Sequence, residues 1–580
     1  MPSAFAWGFW GCFWFVSFGT AAKNSPDSVC RSLSVGILSP KGGGFVSVRR
    51  LSFVCCTLLV LFAVALCRVY WVGTETAYAA NAGVQTVCET ELPVKRGNFT
   101  DRNGCLLTGA FRRWYALCVP GDSSYSTLFP YVSYESQTLL YERRNTSSPF
   151  LVQTERDLSA LGIFTCEDAA RSLKTPIAVH LLGYLDGEGY GMTGLEKAFD
   201  SVLSASGDRQ VIQCRTTARG ALQAGSQPEI VTLEQGTGQG VQLTLDADIQ
   251  RICEGIAAQD MPRGCILVMD AATGQMLASV SMPAYDVDRV ADSIRANDTS
   301  LINRAFSAFS AGSVFKVVLA AAAYENGLDW FSCDCTGSVE VAGQTYRCAL
   351  GRAHGEVNLR GALAQSCNCY FVELGQLLGG QAILQTAQEF GFGTACTVAP
   401  GLVSAAGVVP DEEDLENPGQ LAVVSFGQGA LTVTPLQITA MMNTVADGGE
   451  YRTPRFVLGV TDGTGKMLEP YRTRESHRAS SADVARVLRS MLCTVVEEGI
   501  GGDAAPEEGG AGGKTGTAQT GQFTAEGKEL LNYWFSGFYP AEQPRYTITV
   551  MQDGVLEPAT SSAAIFARIA NALQVLENSY

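Results

Sequence analysis

The chain has 580 residues, a formal net charge of −16 at pH 7 and 46% hydrophobic residues. This length exceeds one domain and indicates two or three, and the acidic balance argues against nucleic acid as the main partner. Only 3 histidines occur, which nearly excludes a histidine-rich metal site. The 19 cysteines fit either an oxidised exported fold or a reduced chain that uses cysteine as a small apolar residue.

The first 72 residues have the organisation of a membrane-anchored protein. Residues 1–50 contain five basic residues and one acidic residue, a net charge of +4, so the rest of the chain carries −20. The uncharged apolar run Leu51–Cys67 and the residues up to 72 can span the ~30 Å hydrocarbon core of a bilayer at ~1.5 Å per residue. Because basic residues favour the cytoplasmic side, we expect a cytoplasmic N-terminal tail (1–50), a single transmembrane anchor (51–72) and an extracytoplasmic remainder.

Two features of this region allow other interpretations of the anchor and of the start of the chain. Ala77-Tyr78-Ala79 has the small residues of a signal-peptide cleavage site, although the apolar run is longer than a usual signal core and favours an uncleaved anchor. The first 22 residues hold no charge and three of the chain's seven tryptophans, a composition unlike that downstream. We therefore expect an over-extended start with initiation near Val48, which a mature-protein mass that includes residues 1–47 would contradict.

After the anchor the pattern predicts a mixed domain over 80–235 and a second domain over 240–580. The second domain has five segments typical of strands, at 265–270, 275–280, 513–519, 532–539 and 545–552. Residues 271–274 join the first two as a β-hairpin. An alanine-rich buried helix is expected over Ser313–Glu325, ending at Asn326-Gly327, and a last helix over about 560–578. This indicates an α/β (α+β) fold whose sheet is closed by distant parts of the chain.

Ser313 and Lys316 stand one helical turn apart at the start of the alanine-rich helix. A serine hydroxyl is a poor nucleophile until a base takes its proton, and a lysine desolvated in apolar surroundings can have a pKa low enough to do so. The alternative is an ordinary surface serine and lysine. The apolar neighbours on both sides leave little polar face for the lysine, and a buried lysine needs a reason.

Two further constellations follow along the chain. Ser366 could relay a proton and Asn368 could hold a peptide group, with helix capping as the alternative. Lys514, Thr515 and Thr517 make a carboxylate-binding edge on one strand, and Gly516 lets a substrate backbone come close. A phosphate loop is excluded there, because that motif needs glycine where Glu508 stands and β-type sequence follows instead of a helix.

The order and separation of these three constellations resemble the active-site set of penicillin-binding proteins and serine β-lactamases. The resemblance covers roughly residues 80–580 and extends to the segments 95–104, 182–184, 194–196, 243–250, 426–429 and 434–437. On these motifs the chain is identified as a member of the monofunctional class B penicillin-binding proteins, of the short-pedestal type. One departure is Ala311, where the family usually has proline; it touches no catalytic group, so we expect activity to survive.

The resemblance implies a transpeptidase or serine β-lactamase-like fold, with a five-stranded antiparallel sheet flanked by helices, a mixed pedestal (dimerisation-type) domain over 80–235 and one transmembrane helix. It makes Ser313 the acylated nucleophile, Lys316 its base, Ser366 the proton relay and Asn368 the group that holds the stem-peptide amide. The residues that would hold the terminal carboxylate of D-Ala-D-Ala are Lys514, Thr515, Gly516 and Thr517. The backbone N–H groups of Ser313 and Thr517 would form the oxyanion hole.

The function that follows is that of a membrane-anchored peptidoglycan D,D-transpeptidase, inhibited by β-lactams and needing no cofactor or metal. Its expected partners are peptidoglycan stem peptides, the membrane through residues 51–72, and other cell-wall synthesis membrane proteins. A β-lactamase and a non-catalytic scaffold or β-lactam sensor are the alternatives.

Some cysteines remain ambiguous. Cys335 and Cys348 flank a hairpin-like stretch and could pair across it, or stay reduced. A metal site at Cys333-Asp-Cys335 is weak, because no second ligand pair is evident in the sequence. Cys367 and Cys369 are interpreted as packing residues, and the three histidines (His180, His354 and His477) as structural hydrogen-bonding groups.

Overall fold

The computed structural model describes residues 48–74, 87–119, 124–146, 148–217, 222–223, 225–296, 298–472 and 476–579. These fall into two compact units, one within residues 1–82 and one within 83–580. The expectations for residues 1–47 and for the cleavage motif at 77–79 lie outside the described residues. The predicted boundary between domains at 235–240 stays a prediction.

The first unit contains helix α1, Val48–Thr74. Its 27 residues make a rod about 40 Å long, and its most apolar stretch has a mean hydropathy of 2.4. In the part of the chain that the structure describes, it is the one helix long and apolar enough to cross a membrane. It agrees with the anchor predicted at 51–72 and extends it slightly at both ends.

The centre of the second unit is a five-stranded antiparallel sheet, as predicted. Its strands are β1 (Gly264–Asp270), β2 (Met276–Met282), β3 (Gly512–Phe523), β4 (Glu529–Tyr539) and β5 (Tyr546–Val555). They lie in the order β2-β1-β5-β4-β3, so the C-terminal strands close the sheet onto the early hairpin. The hairpin turn depends on Asp270, whose carboxylate accepts the Thr273 N–H at 2.8 Å, and on Gly274 at φ +71°.

Helices cover both faces of this sheet. They are α2 (Ala247–Asp260), α3 (Lys316–Glu325), α4 (Leu359–Ala364), α5 (Asn368–Glu389), α6 (Pro435–Ala446), α7 (Ala482–Glu497) and α8 (Ser562–Asn578). Alternate residues of β1 point to opposite faces, so Ile266 and Val268 pack with α2 and α8, and Cys265 packs in the cluster that contains α3 and α6. The remaining α-helices described in this unit are Ser124–Leu128, Tyr134–Glu142, Val179–Leu182, Gly194–Ala198, Asp200–Ser204, Val290–Ala296, Glu412–Leu415 and Pro418–Val424.

Smaller sheets occupy the rest of the unit. Two have three strands: Val87–Glu91, Arg209–Arg215 and Glu229–Glu234; and Phe150–Thr154, Phe111–Cys118 and Thr165–Ala170. One has four strands, Phe99–Thr100, Gly240–Leu243, Val457–Thr461 and Met467–Pro470. The two-stranded pairs are Phe309–Ser310 with Thr432–Val433, Ser332–Cys335 with Gly355–Asn358, Ser338–Val341 with Gln344–Arg347, Thr397–Ala399 with Leu402–Val403, and Glu450–Tyr451 with His477–Arg478.

Two segments that carried the family resemblance are in direct contact. Phe99–Thr100 pairs in parallel with Gly240–Leu243, and the Asp101 carboxylate accepts the N–H of Ala247 at the start of α2, at 3.1 Å. The segment Phe99–Asp101 therefore contacts both the strand and the helix with which the second predicted domain begins.

A buried ion cluster holds the same region together. Glu196 is 3% exposed at its side chain and accepts Arg96 Nε at 2.9 Å through one oxygen. Its other oxygen accepts Arg171 Nε, and Arg96 also binds Asp200 at 2.7 Å. Both carboxylate oxygens of Glu196 are thus paired with guanidinium groups, which offsets the cost of burying the charges.

Candidate active site

Ser313 lies in a tight turn that leads into α3. Residues Gly312–Phe315 form a single 3₁₀ turn, so the predicted helix is regular only from Lys316. This turn is tighter than an α-helix because of Gly312, which has φ +59° and donates its N–H to the Gly427 carbonyl at 2.7 Å. Ser313 remains half-exposed, whereas Lys316 is fully buried.

The second constellation is the turn between α4 and α5. Cys367, not Ser366 or Asn368, caps α5: its sulfur accepts the Tyr370 N–H at 3.4 Å. The capping alternative for the serine and the asparagine is therefore wrong, because their side chains face Lys316 instead. Ser366 has φ +53°, an uncommon backbone conformation for a residue with a Cβ that is found preferentially at functional sites.

Lys316 joins the first two constellations. Its Nζ lies 2.8 Å from the Ser366 carbonyl oxygen, 3.2 Å from the Ser366 hydroxyl and 2.6 Å from Asn368 Oδ1. All three partners are neutral oxygens, so they supply no negative charge to balance the buried ammonium. Burial accordingly lowers the pKa of Lys316 from 10.5 to about 7, which leaves a large fraction of the amine neutral and basic near neutral pH.

The third constellation lies on β3, the edge strand of the central sheet. Lys514 is fully buried, and its Nζ donates to the Thr515 carbonyl at 3.1 Å. Thr515 is half-exposed and Thr517 is exposed. Burial and the nearby charge of Lys316 hold the pKa of Lys514 well below its usual value, so a bound carboxylate would relieve an electrostatic cost there.

Glycines let the strand and the Ser313 turn approach each other. A Cβ on Gly312 would lie 2.7 Å from the Thr517 carbonyl oxygen, and one on Gly516 would lie 3.1 Å from Val314 Cγ1. Across the strand pair, Trp534 Nε1 donates to the Ser310 carbonyl at 3.1 Å and ties the turn to β4. All eight site residues predicted from the sequence are thereby brought to one place.

Gly427 makes a still closer backbone contact with the Ser313 turn, and this contact gives a prediction. Gly427 has φ +81°, and a Cβ there would lie 1.9 Å from the Gly312 carbonyl oxygen. We expect Gly427→Ala to displace the Ser313 turn and slow the acylation of Ser313 by a β-lactam at least tenfold, measured as a second-order rate.

The matched control is Gly401→Ala. Gly401 has a similar φ of +71° but open space where a Cβ would lie, so it costs only the backbone strain of about 1 kcal/mol. Equal acylation rates in the two variants would contradict the importance of the close approach.

Sequence reasoning missed one cluster beside the site. Cys335, Cys348, His354 and Cys367 have their ligand-type atoms within 4.8 Å of one another. The sulfurs of Cys335 and Cys348 are 3.7 Å apart and both thiols are free, so the structure contains no disulfide between them. Cys367 lies between Ser366 and Asn368 and belongs to this cluster, not only to the packing. The available signal was the occurrence of three cysteines and one of the chain's 3 histidines between positions 335 and 367.

Residues 264–571, just over half of the chain, match the family model described as penicillin binding protein transpeptidase domain. Two curated relatives are the penicillin-binding protein PbpB of Mycolicibacterium smegmatis, 32% identical over 68% of this chain and 63% of that protein, and the stage V sporulation protein D of Bacillus subtilis, 30% identical over 68% and 62%. The chain spans about three fifths of the length of these relatives.

A solved structure supports the same assignment. Penicillin-binding protein 3 of Mycobacterium tuberculosis, complexed with aztreonam, superposes with a TM-score of 0.61 at 26% identity, over 85% of this chain and 97% of that one. The predicted fold class is therefore confirmed.

Proposed function

The chain belongs to the penicillin-binding protein transpeptidase family, and from that premise we propose that it is a membrane-anchored peptidoglycan D,D-transpeptidase that forms an acyl-enzyme on Ser313. The observation that carries the proposal is the position of Lys316 Nζ, one helical turn after Ser313 and within 3.2 Å of the Ser366 hydroxyl and 2.6 Å of Asn368 Oδ1. A base, a second hydroxyl and an amide thus converge beside a nucleophile.

The first half-reaction uses these groups in turn. The Ser313 hydroxyl attacks the carbonyl carbon between the two D-alanines of a stem peptide, and the neutral amine of Lys316 takes the hydroxyl proton. The tetrahedral intermediate collapses with cleavage of the carbon–nitrogen bond. Ser366 gives its hydroxyl proton to the departing D-alanine nitrogen and takes in its place the proton that Lys316 received, so both residues return to their starting states. Asn368 holds the stem-peptide amide, and Ser313 is left as an ester.

Substrate binding is assigned to the edge strand. An exposed edge offers its backbone groups to an extended peptide, and Gly516 lets this edge pack closely on the Ser313 turn. Lys514, Thr515 and Thr517 hold the terminal carboxylate. The backbone N–H groups of Ser313 and Thr517 stabilise the oxyanion, each contributing about 3 kcal/mol.

The second half-reaction makes the cross-link. An amine of a neighbouring stem peptide attacks the ester carbonyl, the ester oxygen leaves as the Ser313 hydroxyl with the proton that the amine loses, and a new amide joins the two stems. β-Lactams acylate the same serine as slowly released analogues.

The site is assigned to the outer side of the membrane. The +4 charge of residues 1–50 favours the cytoplasm for that end, and α1 can cross the bilayer once. The −20 charge of the remainder then faces outward, where the cell wall and partner wall-synthesis membrane proteins would meet it.

The low pKa of Lys316 predicts a pH profile. The rate of acylation by a β-lactam is expected to rise with pH through about 7 and to level off above it, because only the neutral amine can take the Ser313 proton. Stopped-flow acylation between about pH 5.5 and 9 measures this. Lys316→Arg keeps a charge but stays protonated, so its rate should be low and flat. A wild-type rate that falls with rising pH would contradict the role of Lys316 as base.

The function itself is tested with a fluorescent penicillin and the full-length chain in detergent. We expect a covalent adduct that persists for many minutes. An adduct that is hydrolysed within seconds would favour a β-lactamase, and stable adducts without any cross-linking of stem peptides would favour a sensor or scaffold.

A further inference from the structure

Four ligand-type side chains from separate segments meet directly behind the Ser366 turn. Cys335 ends the strand Ser332–Cys335, and Cys348 follows the hairpin formed by Ser338–Val341 and Gln344–Arg347. His354 stands just before the strand Gly355–Asn358, and Cys367 caps α5. The three cysteines are at most 3% exposed and His354 is half-buried, so protein surrounds the cluster on the side of the cysteines.

The distances fit ligands around a shared centre. The sulfur of Cys348 lies 3.7 Å from that of Cys335 and 3.7 Å from that of Cys367, and Cys335 Sγ lies 3.3 Å from His354 Nδ1. With zinc–sulfur bonds of about 2.3 Å, two thiolates on one tetrahedral ion lie about 3.8 Å apart. A disulfide would bring two sulfurs to about 2.05 Å, and the spacing is far from that.

Backbone hydrogen bonds hold the ligands in place. The His354 N–H donates to the Cys335 carbonyl at 3.0 Å, and the Cys348 N–H donates to the Gly337 carbonyl at 3.0 Å. Because the loop is already closed in this way, little further ordering is needed for the four side chains to bind an ion.

We propose that Cys335, Cys348, His354 and Cys367 bind one structural Zn²⁺ ion that positions Ser366 and Asn368 in the active site. Three thiolates and one imidazole form a closed four-coordinate set, the donor combination that selects zinc in structural sites. With every position filled by protein, the ion has no open site for substrate and acts on the reaction only through the residues it holds.

The connection to the active site runs through the chain neighbours of two ligands. Cys367 stands between Ser366 and Asn368, so an ion on its sulfur fixes the left-handed turn at Ser366. The carbonyl of Arg347, the residue before Cys348, accepts Asn368 Nδ2 at 2.9 Å. The orientation of the Asn368 amide, and with it the contact to Lys316, therefore depends on where the two cysteines are held.

Metal content tests the site without reference to any activity. The full-length chain, purified in detergent without chelator, should contain about one Zn²⁺ per chain by mass spectrometry. Cys348→Ser and Cys367→Ser should each lose most of it. The matched control is Cys253→Ser, a fully buried cysteine in α2, which should keep the zinc. Replacement of the zinc by Co²⁺ should give the charge-transfer absorption of thiolate ligands.

Two results would overturn the site. One is a wild-type chain with negligible zinc after supply of the metal alone, or with a Cys335–Cys348 disulfide in its place. The other is zinc that survives in Cys348→Ser but is lost in Cys369→Ser, since Cys369 lies 3.5 Å from Cys348 and is outside the proposed ligand set.

The positioning role has a separate readout. Removal of zinc with a strong chelator, at a temperature where circular dichroism shows the chain still folded, should lower the rate of acylation by a fluorescent penicillin at least tenfold, and added Zn²⁺ should restore it. An unchanged acylation rate in folded, zinc-free protein would overturn this role. Absence of acylation in zinc-loaded protein would instead count against the proposed transpeptidase, so the two failures are distinguishable.

Discussion

Ser313→Ala is expected to abolish covalent labelling of the protein by a fluorescent penicillin. The adduct is an ester to the serine oxygen, and the variant lacks that atom. Loss of a catalytic nucleophile costs on the order of 10⁴-fold or more, so the band should fall below detection on a denaturing gel.

The control for this variant is Ser310→Ala. Ser310 lies three residues earlier and contacts Trp534 only through its carbonyl oxygen among the bonds described, which alanine retains. Its labelling should match that of the unmodified chain. A labelled Ser313→Ala band would mean that another residue is acylated, and the assignment of the nucleophile would be wrong.

Glu196→Ala is expected to give the largest loss of stability. The substitution leaves the guanidinium groups of Arg96 and Arg171 close together without their shared carboxylate, and removing one partner of a buried ion pair costs about 3–5 kcal/mol. Arg96 keeps its contact with Asp200, so we expect the lower part of that range. Chemical unfolding followed by circular dichroism measures the change in the free energy of unfolding.

Glu188→Ala is the matched control for this substitution. Glu188 is exposed, so its removal should change stability by no more than about 0.5 kcal/mol. Equal stabilities of the two variants would show that the Glu196 cluster does not stabilise the part of the chain that contains Arg96, Arg171 and Asp200.

Much of the central fold follows from local sequence. Strands β1, β2, β4 and β5 were predicted within a few residues because each is a short apolar or aromatic run bounded by turn residues. The polar strand β3 was predicted at 513–519 and extends over Gly512–Phe523. The end of α3 was predicted because Asn326-Gly327 is a typical helix stop, and Gly327 has the expected positive φ of +66°. The 3₁₀ turn at Ser313 was not predicted, because it depends on a hydrogen bond from Gly312 to Gly427, a distant segment of the chain.

The residues of the site were predictable from the sequence, but the cap of α5 and the cysteine–histidine cluster beside the site were not. Lys316 was recognised because apolar neighbours surround it, and its burial agrees with that reasoning. The capping of α5 by Cys367 was missed, because a cysteine resembles a small packing residue when its sequence neighbours alone are considered. The four-residue cluster was missed for the same reason: its members are the end of one strand, two loop residues next to strands and a helix cap, and only the folded chain brings them together.

The central claim is that this chain joins two stem peptides through an ester on Ser313. The most direct measurement is incubation of the full-length chain, in detergent, with a stem peptide that ends in D-Ala-D-Ala and an acceptor amine, followed by mass spectrometry of the products. We expect a new amide between donor and acceptor, release of one D-alanine per bond formed, and loss of both in Ser313→Ala. Release of D-alanine with only a hydrolysed donor, or products that persist in Ser313→Ala, would contradict it.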